Sequence, residues 1–256
     1  MKNTEQSPFR LSTATRTAQE KGYMADLEHC IESSSFSAVE QFMNFPLYVP
    51  RQNIANFLVK YELFKQILKV HGSIIECGVA FGAGLMAFAQ LSAIFEPVNH
   101  RGRVVGFDTF SGFPSLSNKD RKSESREARK GGYAVDSYDE ISRCIRLFDQ
   151  NRFVGHIPKV ELVRGNATKT IPQFVGENPQ LIVRLLYLDF DLYEPTKIAI
   201  ESFLPRMPKN AIIAFDELNL RDWPGETVAA LETLRINHLT LERFPFGSTI
   251  SFARVG

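Results

Sequence analysis

Short apolar runs and amphipathic stretches take turns along this chain, as strands and helices do in an alternating α/β protein. Ile54, Phe57, Leu58, Tyr61, Phe64 and Leu68 recur three and four residues apart, which predicts a helix from about Gln52 to Val70 with one apolar face. Before it, Phe36, Val39, Phe42, Met43 and Phe45 predict a short amphipathic helix, followed by a loop around Pro46 and Pro50. Gly72 ends the long helix. Ile74 to Cys77 then reads as a buried strand, residues 78–84 as a glycine-rich turn and Leu85 to Phe95 as a helix. Further strands are predicted up to Asp108, over Val160 to Val163, over Ile182 to Asp189 and over Ala211 to Phe215, with a helix over Ile141 to Phe153. Pro195 and Pro224 suit the first turns of two more helices. The tail alternates and turns at Gly247-Ser248, which predicts an antiparallel pair. This is the pattern of a doubly wound, mostly parallel α/β sheet with an antiparallel last strand.

Length and composition narrow the reading. No Pro/Gly/Ser-rich linker divides the 256 residues, so residues 51–256 are expected to form one domain. Residues 1–50 are expected to be a loose arm, to about residue 25, and helices packed on the core or on a partner subunit; a homo-oligomer is the expectation. A net charge of +1 argues against a dedicated nucleic-acid binder. Cys30, Cys77 and Cys144 are far apart and form no CxxC, which fits a reducing compartment. No signal-peptide pattern and no apolar run of membrane-spanning length is present, so a cytoplasmic protein with no membrane partner is expected. Between Lys119 and Lys130, six basic residues face three acidic ones, followed by Gly131-Gly132. Residues 115–140 therefore read either as a solvated insertion or as a lid whose positive charge meets a substrate phosphate, with Tyr133 and Tyr138 as its aromatic contacts.

Candidate chemistry gathers where the strands are predicted to end. One apolar run closes in Asp189 and Asp191, which face the same way if the strand persists, and another closes in Asp216 and Glu217. Four carboxylates at two strand ends call for a cation, and oxygen-rich ligation suits a hard divalent ion. The other reading makes the first pair a helix cap and the second a solvated loop. Gly78, Gly82 and Gly84 give GxxxGxG rather than the GxGxxG of dinucleotide sites, and the turn reads either as a close approach to a cofactor or as a tight turn needed only for packing. Glu76, two residues earlier, would suit a cationic ligand. Asp108, at the end of the second strand, is placed to accept from ribose hydroxyls; the other reading makes it a helix or turn cap. Gly165-Asn166 is either a plain turn or a place to hold an adenine.

In this order and spacing, Glu76-Cys77-Gly78, FDTFSGFP, LDFDLYEPT and FDEL resemble the S-adenosylmethionine-dependent O-methyltransferases of the macrocin and deoxysugar type. The resemblance covers roughly residues 50–250, and D-x-D-L-Y-E-x-T is its most specific part. It implies a seven-stranded Rossmann-like methyltransferase fold and a small-molecule sugar or glycoside substrate. By position, it assigns the cofactor to Glu76, Gly78, Gly82, Asp108, Thr109, Gly165 and Asn166. It assigns Mg²⁺ to Asp189, Asp216 and Glu217, and the role of general base to Asp191. The chain departs from the family in having Glu217 where a second aspartate is common and Thr109 where serine is common; threonine keeps the hydroxyl. The alternatives are an iron hydroxylase of the same fold and a cofactor-binding subunit without turnover.

Overall fold

The computed structural model describes residues 17–247 and 249–256. The chain divides into two units by contact, residues 1–56 and 57–256. In the first, α1 (Ala18–Glu32) and α2 (Ala38–Met43) are helical. Ser37 and Glu40 close a reciprocal cap on α2: the Glu40 carboxylate accepts from Ser37 N at 2.8 Å, and Ser37 Oγ accepts from Glu40 N at 3.3 Å. The loose arm expected to about residue 25 is thus helical from Ala18 on; its first sixteen residues lie outside the described residues.

The second unit holds a seven-stranded sheet in the order β3-β2-β1-β4-β5-β7-β6. The strands are β1 (Ser73–Cys77), β2 (Val104–Asp108), β3 (Val160–Arg164), β4 (Val183–Leu188), β5 (Ile212–Phe215), β6 (Glu242–Arg243) and β7 (Ser251–Arg254). The first five are parallel, β7 runs antiparallel to β5, and β6 antiparallel to β7. The expected antiparallel tail is present, although Ser248 of its turn lies outside the described residues.

Both faces of the central strands are buried, as parallel sheets require. Ile74, Leu185, Tyr187, Ile212 and Ala214 face α3 (Arg51–Ile67), α4 (Ala83–Phe95) and α5 (Tyr138–Gln150). Ile75, Val105, Phe107, Leu186 and Ile213 face α6 (Ala167–Glu177), α7 (Tyr193–Phe203) and α8 (Pro224–Thr233). The stripe read for α3 is rotated in the structure. Val59, Lys60, Leu63, Phe64 and Ile67 are buried, while Phe57, Leu58 and Leu68 are exposed. The helix carries two apolar stripes, and contact with the sheet selects between them. Among the described residues, no helix is long and apolar enough to cross a membrane.

Candidate active site

Five parallel strands end on one edge of the sheet, and the acids follow directly from two adjacent ends. Asp189 N donates to Cys77 O at 2.8 Å, and Asp216 N to Leu188 O at 3.0 Å. Asp189, Asp216 and Glu217 each present a carboxylate oxygen within 4.8 Å of the other two. Glu217 is buried rather than lying in a solvated loop, and α7 is capped by Leu192 with no side-chain bond, so neither pair is spent as first read against function.

Asp191 reaches the cluster by a different route from the one expected. The strand stops at Leu188, so alternation cannot carry Asp191 to the same side as Asp189. Instead Asp191 has φ +61°, and Leu192 N donates to Phe190 O at 2.6 Å across it. That is a γ-turn of the rare positive-φ kind, and it leaves Asp191 buried beside the other acids. A fifth carboxylate, Glu226 of α8, is fully buried and accepts from Glu217 N at 2.9 Å.

These acids strain one another. Burial, then the charges of Asp216 and Asp191, hold Asp189 well above the usual carboxylate range; burial and Asp216 do the same to Asp191. Glu217 and Glu226 are raised likewise, chiefly by burial. Glu217 Oε2 and Glu226 Oε2 are buried without a hydrogen-bond partner. A compact set of hard oxygen donors, crowded and under-satisfied, fits a divalent cation of the Mg²⁺ type.

A chain of polar groups runs from the acids under the sheet to α3. Tyr187 OH donates to Asp216 Oδ1 at 2.8 Å, and Lys60 Nζ donates to Tyr187 OH at 3.4 Å. Lys60 also lies over the Tyr187 ring, 4.6 Å from its centroid. Glu76 pairs with Tyr187 in the register of β1 and β4. Burial pushes Glu76 up to about 8, against the pull of Lys60, and its Oε2 has no partner. Lys60, Tyr187 and Glu226 were missed by the sequence reading. A lysine on an apolar helix stripe and a tyrosine inside a buried strand were the available signals for the first two.

The glycine-rich turn serves the acids as well as any ligand. Gly78 has φ +95°, and a Cβ there would sit 1.9 Å from Asp189 O. Gly82, φ +85°, starts α4, where a Cβ would meet Ile141 at 2.9 Å. The Asp108 carboxylate accepts from Val79 N (2.8 Å), Ala80 N (2.9 Å) and Phe110 N (2.7 Å), so it clamps this turn and keeps only part of its accepting capacity for a ribose. Thr109 Oγ1 donates to Gly112 O at 2.7 Å, which commits its hydroxyl locally. Gly165 N donates to Asp108 O at 2.8 Å. Asn166 caps α6, its Oδ1 accepting from Thr168 N at 3.0 Å, which leaves its amide nitrogen for a ligand.

The polar insertion is ordered and bounded. Phe113 N donates to Gly132 O at 3.0 Å and Gly131 N to Phe113 O at 2.8 Å, tying Gly131-Gly132 back to the segment just before the insertion. Tyr133 packs with Phe113 and Trp223, ring centroids 5.7 and 5.4 Å away. Burial, then the charge of Asp191, pushes Tyr133 up to about 12, so its hydroxyl stays neutral. Tyr138 instead packs on Phe110 at 5.2 Å. A cavity of about 380 Å³ lies at the opposite edge of the sheet, lined by Gly72, Ser73, Glu96, Arg103 and Arg184. Ligands of open α/β sheets bind at the carboxyl ends of the strands, so the acids mark the site and this cavity does not.

A methyltransferase-domain family model matches residues 75–218, more than half of the chain and the span from β1 through the paired acids. Among solved structures, the chain is 35% identical to the calicheamicin methyltransferase CalS11, covering 94% of each chain at a TM-score of 0.90. It is 33% identical to the apo form described as a TDP-rhamnose 3'-O-methyltransferase of calicheamicin biosynthesis, covering 94% of this chain and 96% of that one at 0.81. The O-methyltransferase NovP, 20% identical at 0.62 over 78% and 79%, shares the fold. The search of curated proteins returned no match. Identity sustained over nearly the whole of both chains places this protein in the methyltransferase-domain family, as an S-adenosylmethionine-dependent O-methyltransferase.

Proposed function

We propose that the chain methylates a hydroxyl of a deoxysugar, nucleotide-linked or on a glycoside, at a site where Asp189, Asp216 and Glu217 hold Mg²⁺ and Asp191 is the general base. The observation that carries this is the meeting of the three carboxylates within 4.8 Å, with Asp191 buried beside them. The sugar acceptor is supported by the likeness to CalS11, a TDP-rhamnose 3'-O-methyltransferase.

S-adenosylmethionine supplies a methyl group already activated on sulfonium, and a divalent ion acidifies and orients a bound hydroxyl. The residues of this chain do the rest. Asp191, buried beside the three clustered carboxylates, accepts the hydroxyl proton. Tyr187 fixes one oxygen of Asp216, and Glu226 fixes the backbone of Glu217, so the two strand-end ligands keep their aim. Glu76, Gly78, Gly82, Asp108, Thr109, Gly165 and Asn166 form the cofactor side. Phe113, Tyr133 and Trp223 offer aromatic surface to the apolar flank of a deoxysugar. The insertion over residues 115–140 is a lid on this reading, and excludes water from the acids. An iron hydroxylase would want histidine ligands, and this donor set is all carboxylate.

The test is a mass-spectrometric screen of nucleotide deoxysugars, TDP-rhamnose first, and of glycosides, with S-adenosylmethionine. A gain of one methyl that disappears with chelator and returns with Mg²⁺ supports the proposal. Methyl transfer that is indifferent to chelator removes the metal from it.

A further inference from the structure

We propose that Asp120, in the middle of the polar insertion, is a positioning residue for Asp191; this rests on the reading of Asp191 as the base. Asp120 is only 3% exposed, in the most polar stretch of the chain. Its Oδ2 accepts from Ser117 N (2.8 Å) and Ser117 Oγ (2.7 Å), which fixes the carboxylate within its own loop. Its Oδ1 accepts from Tyr193 N at 2.8 Å. Tyr193 is the first residue of α7, and the cap residue Leu192 has no side chain able to satisfy that amide. Asp120 therefore caps α7 from a distant segment, with negative charge at the positive end of the helix.

What this cap holds is the γ-turn that presents Asp191. On one side the turn is anchored by β4 through Asp189 N to Cys77 O; on the other it runs into Tyr193, two residues past Asp191. A positive-φ γ-turn persists only where both flanks are fixed. Gly225, at the start of α8, makes room for the contact: a Cβ there would lie 2.2 Å from Asp120 Oδ1, 2.5 Å from Tyr193 N and 3.0 Å from Asp191 O. One glycine thus backs the carboxylate, the amide and the carbonyl of the base. The same loop is stapled nearby, by Lys119 to Glu232 and by Ser123 Oγ donating to Asp222 O, while Tyr193 OH donates to Glu232. The insertion so tied helps build the catalytic segment besides covering it.

The test compares Asp120→Ala, Asp120→Asn, Gly225→Ala and Asp191→Asn as full-length enzyme with Mg²⁺, on the acceptor returned by the screen. Asp120→Ala is expected to lower kcat by about 30-fold to 100-fold, the scale of a misplaced catalytic group, with acceptor KM and cofactor Kd within about threefold. Asn keeps an oxygen for Tyr193 N, so Asp120→Asn should recover most of that loss; Gly225→Ala should reproduce it with Asp120 intact. Amide hydrogen exchange at Tyr193 should quicken in Asp120→Ala and Gly225→Ala and stay slow in Asp120→Asn, a readout that needs no acceptor. Unchanged exchange at Tyr193 in Asp120→Ala overturns the proposal, as does unchanged kcat, a loss confined to KM, or Asn no better than Ala. Should the alanine variant fail to fold, Gly225→Ala and Asp120→Asn decide by the same two readouts. Full turnover in Asp191→Asn would instead overturn the reading of the base, whatever Asp120 does.

Discussion

Glu76 shows how far one residue's chemistry can depart from its type. The expectation was an anion awaiting a cationic ligand. The structure gives a fully buried carboxyl pushed up to about 8, which in the cofactor-free protein keeps its proton at neutral pH. Between its ordinary value of 4.5 and about 8 the folded chain binds a proton that the unfolded chain releases, so this group's contribution falls as pH rises through that window. Replacing Glu76 by Gln should flatten the loss of thermal stability between pH 5 and pH 8, an effect of up to a few kcal/mol. Calorimetric melting of both proteins across that range checks this, and parallel curves would refute it. Glu226 can be tested at the same scale. Because its carboxylate orients Glu217 without itself being among the three clustered carboxylates, Glu226→Ala should weaken Mn²⁺ binding by about tenfold, while Gln, which keeps an acceptor, should weaken it less. Titration calorimetry of the two variants measures both.

At the scale of elements, the sequence made strand ends legible because buried parallel strands are continuous apolar runs that stop at a charged residue. Asp108, Asp189 and Asp216 all stand at or just past such ends. Helix α6 was not foreseen: Pro172 inside it masks a helix that Ile171 and Phe174 nonetheless bury. Nor could the route of Asp191 be read, since a positive φ at an aspartate leaves no mark in sequence spacing. Of the two readings of the glycine turn, cofactor approach or packing alone, the packing one has its observation: Gly78 is demanded by the neighbouring strand end. Gly78→Ala places a methyl against Asp189 O at a positive φ, so it should cost roughly 2–3 kcal/mol of stability and also weaken divalent-ion binding by displacing Asp189. Chemical denaturation and Mn²⁺ titration of that variant test the two effects, and a stable variant with unchanged ion binding would contradict the account. The contacts of Lys60, Tyr187 and Glu226 come from three separate elements, and only the folded sheet brings them to the acids.

The whole molecule adds one matter that no single element decides: the proposal that acids from the ends of β4 and β5 act as one ion site. The most direct measurement is Mn²⁺ titration of the wild type, Asp189→Ala and Asp216→Ala, with methyl transfer followed in the same samples. One ion per chain in the wild type is predicted, lost together with turnover in both variants while S-adenosylmethionine still binds. Equal Mn²⁺ binding in all three, or full turnover in either variant, would contradict it.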